Sequence, residues 1–160
     1  MYKKIILFVA LLMVGWVSNI IAAEFDAQPS SKDKCPVCGM FVAKYPDWIC
    51  SVTFANAPTV YFDGPKDMFK YILDTKKYGS HRKAGDIKNI TVMDYYRVAP
   101  IDGRSAFYVE GSDVYGPMGK ELIALAGKSD ANEFMKDHKG RRILRFSDVT
   151  RDVLKALDGQ

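Results

Sequence analysis

Cys35-Pro36-Val37-Cys38-Gly39-Met40 brings two thiols and a thioether within six residues. So dense a set of sulfur donors suits a soft metal ion better than it suits an apolar core. Thiolate and thioether sulfur select Cu(I), and thiolates also take Zn(II) or iron–sulfur clusters. A structural zinc site normally assembles four ligands, often from two such cysteine pairs. This chain has one pair. Cys50 stands apart, and the only histidines are His81 and His138. The count of sulfur and imidazole donors therefore points to copper or thiol redox chemistry and away from a zinc ribbon. In an oxidising compartment three cysteines also admit a Cys35–Cys38 disulfide with Cys50 free, as well as metal-held or reductant-held thiols.

A second methionine sits in a comparable setting. Gly116-Pro117-Met118-Gly119 is a tight, glycine-flanked loop, as Gly39-Met40 is glycine-preceded. Glycine removes side-chain bulk, so the neighbouring sulfur can be presented outward. Cys35, Cys38, Met40 and Met118 are therefore the candidate metal ligands. The other sulfur side chains read as core. Met68 lies on an apolar helical face with Phe69, Ile72 and Leu73, and Met93 and Met135 fall in apolar segments. Cys50 shares a strand face with Trp48, Val52 and Phe54, where a buried thiol is expected. His138 suits a helix C-terminus. His81, in a basic loop, is a candidate outer ligand.

The elements that must position these residues follow a repeated order. Trp48 to Phe54 alternates with a strand period, Ala55-Asn56-Ala57-Pro58 is a turn, and Thr59 to Phe62 reads as the returning strand. Asp63-Gly64-Pro65 is a helix start, with an acidic cap and a first-turn proline. Asp74 to Asp86 is a polar, basic loop. Ile90 to Val98 is a β-branched and aromatic strand that Pro100 ends. Asp102-Gly103 is a hairpin signal. Ser105 to Val109 and Leu122 to Ala126 are strands on either side of the glycine-flanked loop. Ser129 and Asp130, with Glu133, offer a capping box for a helix that Gly140 closes. Ile143 to Phe146 is a strand, and Ser147 caps a last helix. The order strand, strand, helix, strand occurs twice, which predicts an α+β protein of two small ββαβ units sharing a core or cleft. The first unit covers residues 35–100 with the cysteine loop. The second covers 101–160 with the Met118 loop and the C-terminal helix.

The N-terminus has the layout of an export signal. Lys3 and Lys4 precede the apolar run Ile5 to Ile21, and Ala22-Ala23 leads into the first acid, Glu24. Residues 1–23 are expected to be a signal peptide cleaved near Ala23, and 24–34 a flexible lead-in. An uncleaved anchor is the alternative, at the short end of a spanning helix. The chain of 160 residues carries a formal charge of +4, which falls to +2 without Lys3 and Lys4. So balanced a charge gives no support for nucleic-acid binding. A local basic cluster, Lys76, Lys77, His81, Arg82 and Lys83, reads as a solvated loop or as a docking patch for a membrane surface or acidic partner.

The chain resembles the NosL family of exported accessory proteins of nitrous oxide reductase. The resemblance is carried by the Cys35–Met40 segment, Tyr61-Phe62-Asp63-Gly64-Pro65-Lys66-Asp67-Met68-Phe69, Ser105 to Val109, Gly116 to Gly119, and Arg142-Ile143-Leu144-Arg145-Phe146. It implies a periplasmic Cu(I)-binding chaperone that delivers copper to nitrous oxide reductase or to its membrane-bound copper-assembly apparatus. It also implies two homologous ββαβ units, distantly like the organomercurial lyase fold. Many relatives are lipoproteins anchored by an N-terminal cysteine, and this chain has no cysteine directly after the apolar run. It also lacks a cysteine between Tyr61 and Met68, where some relatives carry one.

Three classes of function follow. A copper chaperone needs only a shallow loop site, because Cu(I) accepts few ligands, and it catalyses no chemical step. Thiolates raise affinity at the cost of a proton, while thioethers bind at any pH and permit handover. A thiol–disulfide oxidoreductase using Cys35 would want its pair at a helix N-terminus, and Gly39 to Pro46 shows no helical period. A structural or adaptor protein would hold the cysteines in one disulfide.

Overall fold

The computed structural model describes residues 28–79 and 82–159. The expected signal peptide, the start of the expected lead-in and His81 lie outside the described residues. Among the described residues seven strands form two antiparallel sheets. The first contains β1 (Cys50–Phe54), β2 (Val60–Phe62), β3 (Ile87–Asp94) and β4 (Ala99–Asp102), in the order β2-β1-β3-β4. The second contains β5 (Phe107–Gly116), β6 (Gly119–Leu125) and β7 (Arg142–Arg145), in the order β6-β5-β7. Helix α1 (Pro65–Leu73) and the single turn α2 (Thr75–Tyr78) lie between β2 and β3. Helix α3 (Lys128–Asp137) lies between β6 and β7, and α4 (Arg151–Asp158) ends the chain. In both sheets the first strand of the unit is central, with the second and the post-helical strand on its two sides. The expected α+β pair of ββαβ units is what the chain forms.

The two units share one core, and the alternation along the second sheet shows how. Tyr108, Leu122 and Ala124 pack with Val52, Phe62, Met68, Phe69 and Leu154. Their immediate neighbours Val109, Ile123 and Leu125 pack with Ala131 and Phe134 of α3. Period-two side chains thus enter two cores, one on each face. This explains why Leu122 to Leu125 is a continuous apolar run rather than an alternating one. Asp94, fully buried, fastens the sheets together: its Oδ2 accepts from the Ala126 amide at 2.7 Å, and the Tyr95 amide donates to the Ala124 carbonyl at 3.0 Å.

Several expected boundaries shift. Ile90 to Val98 is not one strand. β3 ends at Asp94, the chain turns through Val98 at φ 47°, and Pro100 lies within β4. A proline is tolerated there because β4 is an edge strand. Asp102-Gly103 turns between the two sheets instead of closing a hairpin. Trp48 lies in a short 3₁₀ turn, Pro46–Trp48, and packs with the second core, away from the buried Cys50. Gly127 rather than Ser129 or Asp130 precedes α3, since Asp130 pairs with Arg97 at 2.8 Å. Lys139, not Gly140, takes the left-handed position after that helix, while Gly140 is bare because a Cβ would strike Val109. Thr150 caps α4, accepting from the Val153 amide, in place of Ser147. Part of the basic loop is the turn α2. Among the described residues no helix is long and apolar enough to cross a membrane.

Candidate metal centre

The cysteine loop is a small knuckle. The Gly39 amide donates to the Cys35 carbonyl at 2.8 Å, and the Cys35 amide donates to the Met40 carbonyl at 2.9 Å. Gly39 stands at φ 81°, a conformation that favours glycine. The flanks, Lys34 and Phe41, pair as an isolated antiparallel bridge. The two thiols are thereby turned to one side. Cys35 is 1% exposed and Cys38 is half-buried.

What they face is the start of α1. Cys35 Sγ donates to Asp67 Oδ2 at 3.4 Å, and Cys38 Sγ donates to Asp63 Oδ1 at 3.3 Å. Both carboxylates are nearly inaccessible. One donor atom from each of Cys35, Cys38, Asp63 and Asp67 lies within 4.8 Å of the others. Asp63 is free for this because it does not cap the helix: Gly64 occupies the cap position and no side chain caps it. Asp67 lies in the first turn of α1, and its carboxylate joins that of Asp63 over the same loop.

Burial pushes both thiols up, Cys38 to about 11 and Cys35 further. The Cys38 amide, and then that of Val37, pulls against burial at Cys35, while the Asp67 charge adds to it. At Cys38 the Met40 amide is the opposing donor. In the apo protein the thiols therefore stay protonated and serve as donors to the carboxylates. A bound cation reverses the balance, displacing the protons and leaving amides aimed at anionic sulfur. Asp63 and Asp67 were missed as site residues in the sequence. Their available signal was the pair of acids four residues apart across a helix start. They also bear on zinc, because sulfur and imidazole were the only donors counted, and two carboxylates complete a four-donor set.

The methionines stand as follows. Met40 is half-buried and closes the thiol loop through its carbonyl. Met118 is 44% exposed at the tip of the two-residue hairpin joining β5 to β6, where Gly116 pairs with Gly119. Its carbonyl accepts from Lys66 Nζ at 3.0 Å, which brings the hairpin to the first turn of α1. Met68 is fully buried, and Met93 and Met135 pack against the cores. Cys50 is 1% exposed on β1, outside the four-donor group. His138 ends α3, stacked on Phe134 and facing Asp113.

Fold and site together define a small α+β protein with a thiol–carboxylate cluster that could hold a metal ion, built where a loop meets a helix start. The chain belongs to the NosL family, whose model matches residues 26–154. Over 55 residues it is 38% identical to the copper-binding lipoprotein NosL of Stutzerimonas stutzeri. That stretch is 34% of this chain and covers only 28% of the relative. The fold is that of the copper chaperone NosL from Shewanella denitrificans, with a TM-score of 0.67 and 24% identity over 79% of this chain and 96% of that one.

Proposed function

We propose that this protein is a copper chaperone that carries one Cu(I) ion on Cys35 and Cys38, with Met40 and Met118 as thioether ligands. The observation that carries this reading is the pair of amide-backed thiols packed against Asp63 and Asp67 in a member of the NosL family. Copper is the cargo, not a reagent, and no bond of a substrate is made or broken. Two thiolates supply affinity for a soft ion, and thioethers on loops permit ligand exchange with an acceptor. The acceptor is nitrous oxide reductase or its membrane-bound copper-assembly apparatus, and transfer takes place in the periplasm after export and cleavage near Ala23. The basic loop around Lys76, Lys77, Arg82 and Lys83 offers a surface for membrane docking.

Oxidoreductase use of Cys35 is disfavoured by the same geometry. The pair is followed by short 3₁₀ turns, Val42–Lys44 and Pro46–Trp48, rather than by a helix whose N-terminus would stabilise a thiolate. The test is an anaerobic titration of the reduced protein against a chromophoric Cu(I) chelator, with Zn(II) present in excess. One equivalent of Cu(I) retained against both competitors is expected. No competition with the chelator would overturn the reading.

A further inference from the structure

Two buried ionisable residues outside the donor set meet at the first turn of α1. Lys66 and Glu121 are each 3% exposed. The Lys66 amide donates to Glu121 Oε1 at 2.6 Å, and the Leu122 amide donates to the same oxygen at 2.8 Å. The Lys66 side chain runs the other way. Its Nζ donates to the Met118 carbonyl at 3.0 Å, with Asp158 of α4 at 3.5 Å.

Two glycines make room for this arrangement. A Cβ at Gly64 would strike the Glu121 carboxylate, and one at Gly116 would lie 3.1 Å from Glu121 Cγ. Gly64 begins the helix that carries Asp67, and Gly116 stands at the mouth of the Met118 hairpin. The Glu121 carboxylate is therefore wedged between the two elements, and Lys66 ties them a second time from the outside.

Stability alone does not call for such a pair. A carbonyl at the tip of an exposed hairpin has water as an alternative partner, and an apolar side chain of similar volume would fill the site of Lys66 without desolvating a charge. What the lysine and the glutamate do fix is the place of the hairpin relative to α1. We infer that Lys66 and Glu121 are positioning residues that hold the Met118 hairpin against the thiol–carboxylate centre, so that its thioether reaches an ion bound at Cys35 and Cys38. The inference rests on Met118 being a ligand, as proposed above.

A double-mutant cycle separates the two ideas. Cu(I) affinity is measured anaerobically by chelator competition for the parent, Lys66→Leu, Met118→Ala and the double variant. X-ray absorption at the copper edge counts the sulfur ligands in each. Lys66→Leu is expected to weaken binding as much as Met118→Ala does, on the order of tenfold. The double variant should be no weaker than either single one, and each should lose one sulfur from copper. Where Lys66→Leu fails to fold, Lys66→Gln is expected to give the same result, because its shorter polar end falls short of the Met118 carbonyl. If Met118→Ala binds copper like the parent, the ligand assignment fails and the positioning role with it. If Met118→Ala is weakened while the Lys66 variant keeps full affinity, or if the two losses add, Met118 stands as a ligand and the positioning role is overturned.

Discussion

The Cys35 thiol and the Asp67 carboxylate, 32 residues apart in sequence, meet at 3.4 Å in the protein interior. The contact joins a loop to the first turn of a helix and gives a buried thiol an acceptor. Burial first, with Asp67 adding to it, raises the Cys35 thiol, so the sulfur keeps its proton until a cation replaces it.

The apo thiols should therefore be slow to alkylate. Burial, before any neighbouring charge, pushes Cys38 up to about 11. At pH 7 a thiol of that pKa is ionised in about one molecule in ten thousand. Alkylation by iodoacetamide should be slow at neutral pH and rise with pH toward about 11. Asp67→Asn removes a group that raises both thiols and should speed the reaction at fixed pH. A rate in the folded protein equal to that in denaturant would contradict this.

The two methionines best separated by burial should part in their phenotypes. Met68 is fully buried on α1, and Met68→Ala should cost about 2–5 kcal/mol of stability. Met118 is exposed at a hairpin tip, so Met118→Ala should melt with the parent while binding Cu(I) more weakly. Equal melting temperatures for the two variants would show the assignment to be wrong.

Cys50 should be dispensable for metal binding. It is buried on β1 with its Sγ directed to the Trp48 carbonyl. Cys50→Ala should keep Cu(I) affinity within a small factor, whereas serine at both Cys35 and Cys38 should lower it by orders of magnitude. Loss of copper from a folded Cys50→Ala protein would move the site.

Glu121 gives the fold a pH dependence of predictable sign. Burial raises its carboxyl to about 8, outweighing the two amides that favour ionisation. The folded state thus holds a proton that the unfolded state releases near the usual carboxylate range. Its contribution is fully present below about pH 4.5 and is lost as pH rises through about 8. The slope within that window approaches about 1.4 kcal/mol per pH unit. Glu121→Gln should flatten it, as read by urea unfolding across the same range. Parallel curves for parent and variant would count against a protonated Glu121.

Much of this was legible in the chain. The Cys35–Met40 loop, the Met118 hairpin and the twice-repeated ββαβ order follow from spacing and turn chemistry. The carboxylates were not legible, because Asp63 before Gly64-Pro65 reads first as a helix cap. Only tertiary packing shows that the cap position falls on Gly64, which leaves Asp63 to face Cys38. β4 was hidden by Pro100, which sequence patterns treat as a strand end and which an edge strand accommodates. Lys66 and Glu121 carry no local signal, since both look like ordinary surface charges until the two glycines that admit them are placed.

The alternation of Tyr108, Leu122 and Ala124 into one core and of Val109, Ile123 and Leu125 into another ties the fate of one unit to that of the other. A lone second unit would present a bare apolar sheet face to water, so neither half has a complete core of its own. Cutting the chain between β4 and β5 should therefore leave two fragments that order only when mixed.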